Sequence, residues 1–364
     1  MRTKFAQLIN IRDYSRDYTK GSASVYEPYQ IMRRRLPAHP WSRASSSFKW
    51  FVENQIPLTF SFILLVHVAQ FLGWESASQF FYLSYYDAST NLYTKGIYDI
   101  SFVFSWVVGY TFLRAILIRF VLQSLGSRCG IKKARALVRF TEQAYLFLYY
   151  ILVIPVGMRI ICTSPYARDM RQYWIGYPHE QYTMKFKAYY LLQLAFWIQQ
   201  IYVLHIEKRR KDYVLMFAHH IITSSLLVGS YLGNFTRVGS AILVIMDIAD
   251  ILLASTKLLR YLGMKKLCDA CFILFTVVWV GTRHYLFSLV AIHTALESPK
   301  YVAFEWNPAQ GKFFTRTILN FFLFLFALLQ LLFVCWFYFI ARILLNVIRG
   351  GFVHDNRSDE EEDE

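Results

Sequence analysis

The chain has 364 residues, of which 56% are hydrophobic and 18% aromatic, with 17% charged and a formal net charge of +15. Its apolar residues are concentrated in runs of 18 or more, which excludes an ordinary soluble domain and indicates a polytopic membrane protein. The same unbroken runs exclude a β-barrel, whose strands would alternate apolar and polar residues, so an all-α fold is expected.

Residues 1–56 are polar and basic, so no cleavable signal peptide is expected and the first span serves as its own signal anchor. Spans are expected near 57–74, 97–118, 140–162, 186–206, 213–233, 238–258, 268–295 and 313–341. The short link 234–237 makes the fifth and sixth a tight antiparallel hairpin. Segments 1–56, 119–139, 207–212, 257–267 and 342–364 hold 27 Lys and Arg, against 7 in 75–96, 163–185, 234–237 and 296–312. The positive-inside rule makes the first group cytosolic, and eight spans with both termini cytosolic satisfy every loop. The net charge is then mostly this bias plus attraction to anionic headgroups, and no nucleic-acid partner is expected.

No internal repeat of the kind many transporters carry is visible. Four of the five cysteines (Cys162, Cys268, Cys271, Cys335) lie in or at the ends of apolar runs. The single C-x-x-C, Cys268 and Cys271, has no second pair and reads as buried packing rather than a zinc or redox site. Sequons stand at Asn234 and Asn356, the first too near the membrane and the second cytosolic, so neither is expected to be glycosylated. The last ten residues, 355–364, are nearly all charged and should be disordered.

The informative residues lie inside the fifth and sixth spans. His219 and His220 are adjacent within an apolar run, and Asp247 and Asp250 stand three apart in the next one. Ionisable groups in hydrocarbon are costly, so they face a partner or a polar cavity and mark function by default. At about 1.5 Å per residue, His219 lies roughly 10 Å and Thr223 roughly 16 Å from the cytosolic end of one span, and Asp250 and Asp247 roughly 10 and 15 Å from that of the other. Acids and histidines are thus expected at matching depth. The two acids share a helical face, whereas adjacent histidines point about 100° apart, so one histidine is expected to face the acids.

A neutral imidazole held by a carboxylate takes a proton from a nucleophile and returns it to a leaving group. The same ring is also able to attack a thioester and form an acyl-imidazole. Isolated membrane histidines are often helix–helix hydrogen-bonding or interfacial residues, and His67, His205 and His293 are read that way. A di-iron oxygenase needs more histidine boxes than this one pair, and no metal or redox cofactor is expected. A proton-coupled transporter would use similar buried ions.

The stretch 211–257 (KDYVLMFAHHIITSSLLVGSYLGNFTRVGSAILVIMDIADILLASTK) resembles the signature of ceramide synthases in the TLC-domain family. The matching residues are His219, His220, Thr223, Leu226, Ser230, Tyr231, Arg237, Gly239, Asp247, Asp250 and Lys257. The resemblance reaches upstream to Arg139, Phe140, Glu142 and to Ala195, Phe196, Trp197, Gln199, Gln200, and downstream to Arg283 and the acidic tail. Met246 stands where many members carry a histidine, as in fungal members, and the homeobox-like insert of many animal members is absent.

The resemblance implies a six-helix TLC-type bundle and acyl transfer from fatty acyl-CoA, as co-substrate, to the amine of a sphingoid base at the endoplasmic reticulum. It divides the chain into a cytosolic basic segment (1–56), two spans with a cytosolic loop (57–134), the catalytic TLC domain (135–348) and an acidic cytosolic tail (349–364). His219 and His220 would do the chemistry and Asp247 and Asp250 would orient and polarise them. Which histidine does which, and whether attack is direct or through an acyl-histidine, stays open. Substrate contacts are expected from Thr223, Trp197 and the cytosolic cluster Lys208, Arg209, Arg210, Lys211 and Lys257, the topological role of these cations weighing equally. For Arg283, pairing with a site carboxylate is favoured over contact with CoA. The lumenal loop 296–312 would select acyl length, and Ser358, followed by an acidic run that begins Asp359, Glu360, Glu361 and Glu362, suits an acidophilic kinase. Expected partners are membrane lipid, a second copy or a homologue in a homo- or heterodimer, and a small single-span accessory subunit. The competing function is a lipid carrier on the same helices, without acyltransferase activity.

Overall fold

The computed structural model describes residues 46–207 and 210–349. A short helix α1 (Ser46–Glu53) leads into α2 (Gln55–Phe71), and α3 (Asp99–Arg128), α4 (Ala134–Cys162), α5 (Met184–Ile206), α6 (Tyr213–Leu232), α7 (Thr236–Tyr261), α8 (Lys265–Tyr301) and α9 (Arg316–Ile348) follow. Two small antiparallel hairpins, β1 (Tyr86–Asp87) with β2 (Leu92–Tyr93) and β3 (Glu305–Asn307) with β4 (Lys312–Phe314), sit in the loops after α2 and α8. The chain is therefore an all-α polytopic membrane protein, and each expected span overlaps one helix from α2 to α9.

Six of these eight helices are long and apolar enough to cross a membrane. α2 is apolar but has 17 residues. α5 carries Lys187, Gln193, Gln199 and Gln200, all buried, so its polarity is turned into the protein rather than towards lipid. α9 has 33 residues, about 50 Å at 1.5 Å per residue, and so extends well beyond a hydrocarbon core of about 30 Å.

Helices α4 to α9 close into a ring in which α4 packs on α7, α7 on α8, α8 on α9, α9 on α6, α6 on α5 and α5 on α4. α3 packs outside the ring on α5, and α2 on α3. Thr183 and Thr315 cap α5 and α9 by accepting the Phe186 and Ile318 amides, satisfying donors that a helix start leaves open. α6 and α7 are joined by Gly233, Asn234 and Phe235, and Asn234 takes a left-handed φ of 62°. Its side chain is fully buried and donates to the Gly311 carbonyl at 2.8 Å. At Gly239 a Cβ would run into the Tyr190 hydroxyl and Ser230, so a glycine lets α5, α6 and α7 approach there.

The C-terminal end of α6 is tied down by charge. Lys187 on α5, with no exposed surface, meets Asp99 at 2.7 Å and the Ser84 and Thr94 carbonyls at 2.8 and 2.7 Å. Asp99 also accepts from the Tyr231 hydroxyl at 2.8 Å, and Lys95 donates to the Leu232 carbonyl at the end of α6. A buried pair with its other valences filled in this way pins three helices and a loop together.

Candidate active site

Within the ring lies a cavity lined by α6, α7, α8 and α9, with Trp197 from α5 and Trp174 from the loop before it. Its walls are almost wholly apolar. His219, Asp250 and Arg283 are the ionisable residues on its lining, joined by the hydroxyls of Thr223, Ser230 and Thr294. Such a cavity, with a few convergent polar groups, is the usual form of a small-molecule site.

The hairpin α6–α7 brings His219 and Asp250 to the same cavity from opposite chain directions. His219 is framed by aromatic edges, with Trp197 at 5.4 Å and Trp336 at 5.3 Å between centroids, and its Nδ1 lies 3.5 Å from the Thr223 hydroxyl. Thr223 is one turn along α6, as i,i+4 spacing requires. His220, rotated to the neighbouring face, is buried with its ring centroid 5.6 Å from both Trp197 and His219, and is absent from the cavity lining. Of the two touching histidines, His219 is the one that lines the cavity.

The acids are separated. Asp250 accepts from Arg283 at 2.5 Å and from the Tyr150 hydroxyl at 3.4 Å. Arg283 also donates to the Met246 carbonyl at 3.1 Å and stacks on Trp279 at 4.3 Å. It lies in a π-helical turn of α8, Val280–Leu286, and such turns recur at functional sites. Asp247 is 1% exposed and turns away from the cavity towards α5, where the Gln193 amide donates to it at 2.6 Å. The Tyr149 hydroxyl donates to the Gln193 carbonyl oxygen at 2.6 Å, which fixes which end of the amide faces the acid. Among the described residues neither carboxylate is hydrogen-bonded to either imidazole, so the expected His–Asp contact is not made. Asp250 meets Arg283 and Asp247 meets Gln193 instead.

Of the expected substrate contacts, Trp197, Thr223 and Arg283 line the cavity. Arg210 lies 3.6 Å from Glu142 and 3.7 Å from Glu207, whose other oxygen pairs with Arg114 at 2.7 Å. Lys211 is exposed and Lys257 half-buried. Lys208, Arg209 and Ser358 lie outside the described residues. Gln193, Tyr149 and Tyr150 were missed by the sequence reading, because a polar residue in an apolar helix shows no partner until the helices are docked. His67 and His205 bond their own helix carbonyls at 2.7 Å, whereas His293 accepts from the Trp174 indole at 3.3 Å.

A ring of membrane helices around an apolar cavity that carries a histidine, an acid and an arginine defines a membrane protein with a candidate site for an apolar ligand. Residues 139–342 match the TLC domain family. The chain is 40% identical over 290 residues to the sphingosine N-acyltransferase lag1 of Schizosaccharomyces pombe, covering 79% of this chain and 74% of that protein. It is 35% identical over 379 residues to the ceramide synthase FUM18 of Gibberella moniliformis, covering 92% and 88%. It is 33% identical over 316 residues to the ceramide synthase LAG1 of Saccharomyces cerevisiae, covering 84% and 77%. The chain belongs to the TLC-domain family, in its ceramide synthase branch.

Proposed function

We propose that this protein is a ceramide synthase that transfers the acyl group of a fatty acyl-CoA to the amine of a sphingoid base. The observation that carries the reading is the placement of His219, Asp250 and Arg283 on one otherwise apolar cavity. Both substrates have long apolar chains that suit such walls, while the polyanionic CoA stays at the cytosolic mouth. The amine nitrogen attacks the thioester carbonyl, the C–S bond breaks, and the amine proton goes by way of His219 to the departing thiolate. In the two-step form the imidazole nitrogen attacks first, CoA thiol leaves, and the amine displaces the ring.

His219 is the group assigned to the reacting atoms. His220 and Asp247, behind the lining, are positioning residues acting through Trp197 and α5. Asp250 holds Arg283 beside the cavity, where its charge favours an oxyanion developing at the carbonyl. Lys211 and Lys257 are the described cations assigned to CoA phosphates, with Lys208 and Arg209 completing the cluster. We assign the protein to the endoplasmic reticulum with cytosolic termini, acting as a homo- or heterodimer with a single-span accessory subunit and tuned by phosphorylation at Ser358.

Detergent-purified protein given acyl-CoA and sphinganine should release CoA thiol and form amide in equal amounts. A lipid carrier on the same helices would release none, and that result would overturn the reading.

A further inference from the structure

We propose that Trp174, in the loop between α4 and α5, is the residue that sets the longest acyl chain the protein accepts, an inference that rests on the acyltransfer reading. The cavity is a channel whose ionisable residues, His219, Asp250 and Arg283, stand at one end. On α6 its lining runs from His219 to Ser230, about 16 Å at 1.5 Å per residue, and on α9 from Phe333 to Ile318, about 22 Å. An acyl chain whose carbonyl lies at His219 therefore points its methyl end to the far wall. That wall is an aromatic plate of Trp174, Phe235 and Phe314, the indole lying 6.3 Å from each of the other two rings.

The loop 296–312 contributes no lining residue. It touches the plate from behind, where Phe304 stacks on Phe314 at 5.1 Å. An exchange of that loop would then act through a second layer, while Trp174 forms the surface the methyl end meets.

The indole is held rigidly, as a length stop requires. It is 2% exposed, and its N–H donates to His293 at 3.3 Å. Its loop is fixed on both sides, by Arg237 donating to the Gln172 carbonyl at 2.6 Å and by His179 donating to the Tyr173 carbonyl at 3.2 Å. Behind it the Tyr177 hydroxyl donates to the Gly233 carbonyl at 3.0 Å and accepts the Phe313 amide at 2.8 Å. His293 and Arg237 from helices and Tyr177 and His179 from the loop thus hold the ring and its surroundings in place.

The test is a series of saturated acyl-CoA substrates, each two carbons longer than the last, with amide products weighed by mass spectrometry. One methylene that fits or fails to fit an apolar pocket changes kcat/KM by about 10- to 200-fold. Trp174→Ala should therefore raise use of the first chain the wild type rejects by at least about tenfold, while the best wild-type substrate still turns over. Val238→Phe, which adds a ring to the same end of the lining, should move the cut-off the other way and serves if Trp174→Ala fails to fold. An unchanged cut-off in a folded variant of either kind overturns the proposal. A fatty acyl-CoA with a terminal diazirine gives a second readout independent of turnover. Photolabelling of the Trp174 or Phe235 peptide supports the floor, even from a wild type that forms no amide, in which case the acyltransfer reading alone falls. Labelling confined to α8 or the loop 296–312 overturns it.

Discussion

Replacing Arg283 by Met isolates the worth of one buried charge. Methionine keeps an apolar stem against Trp279 and Phe333 but removes the guanidinium that meets Asp250 at 2.5 Å and the Met246 carbonyl at 3.1 Å. Asp250 would then retain one hydrogen bond, a 3.4 Å contact from Tyr150, on an apolar cavity wall. Breaking a buried pair by removing one partner costs about 3–5 kcal/mol, because the other charge stays uncompensated. At about 2–4 °C per kcal/mol for a large domain, the melting temperature should fall on the order of 10 °C. The assay is a thermal melt in detergent of wild type, Arg283→Met, Asp250→Asn and the double variant. Since the double variant leaves neither charge unpaired, it should be more stable than the sum of the singles predicts, by about 1–3 kcal/mol of coupling. Strictly additive losses would refute the idea that these residues form one electrostatic unit. Arg283→Lys should rescue only part of the loss, because an ammonium lacks the planar face that stacks on Trp279 at 4.3 Å.

Gln193→Leu should leave a folded protein with about tenfold less turnover, since it strips buried Asp247 of its amide donor, a hydrogen bond worth about 0.5–1.5 kcal/mol; turnover equal to wild type would remove Asp247 from the account. Lys187→Met should destabilise the protein by about 3–5 kcal/mol, and paired replacement with Asp99→Asn should recover part of it, as read by melting and by protease sensitivity of the loop after α2. His179, in the loop between α4 and α5, is held down to about 4 by burial and by the Arg237 charge. The unfolded chain takes up that proton near 6.5 and the folded one only near 4, so stability is full above pH 6.5 and falls as pH drops through this window; a His179→Gln variant should lose this acid dependence, and a wild-type melting profile flat from pH 7 to 4.5 would contradict it. Ser358→Ala and Ser358→Glu should differ in apparent acyl-CoA affinity, more so at low salt; identical kinetics in both would leave the tail without a direct kinetic role.

The apolar runs alone placed all eight helices, because hydrocarbon leaves a spanning chain no choice but to close its backbone bonds within each segment. The depth argument likewise brought His219 and Asp250 to one cavity, since rise per residue is fixed. Rotation about each helix axis was the part hidden from the sequence. A lipid-facing and a core-facing wall are both apolar, so composition gives no sign of which way α7 turns. Packing of α7 on α4 decides it, sending Asp247 to Gln193 and leaving Asp250 for Arg283. The π-helical turn that places Arg283 is also invisible, because one inserted residue changes no hydrophobic pattern. The floor residue Trp174 lies in a loop whose course depends on contacts from Arg237 and His179, far along the chain or across a turn.

The central claim is that His219, and not its neighbour, meets the substrate. It is tested most directly by purifying the wild type, His219→Ala and His220→Ala, and following CoA thiol release and amide formation from acyl-CoA and sphinganine. Wild type should form one amide per thiol. His219→Ala should lose at least about a hundredfold, the lower end of what a general base contributes, while remaining folded and membrane-inserted. His220→Ala should be impaired through positioning yet keep the wild-type pH profile of its residual turnover. Full turnover in His219→Ala, or amide formation without stoichiometric thiol release, would contradict the account.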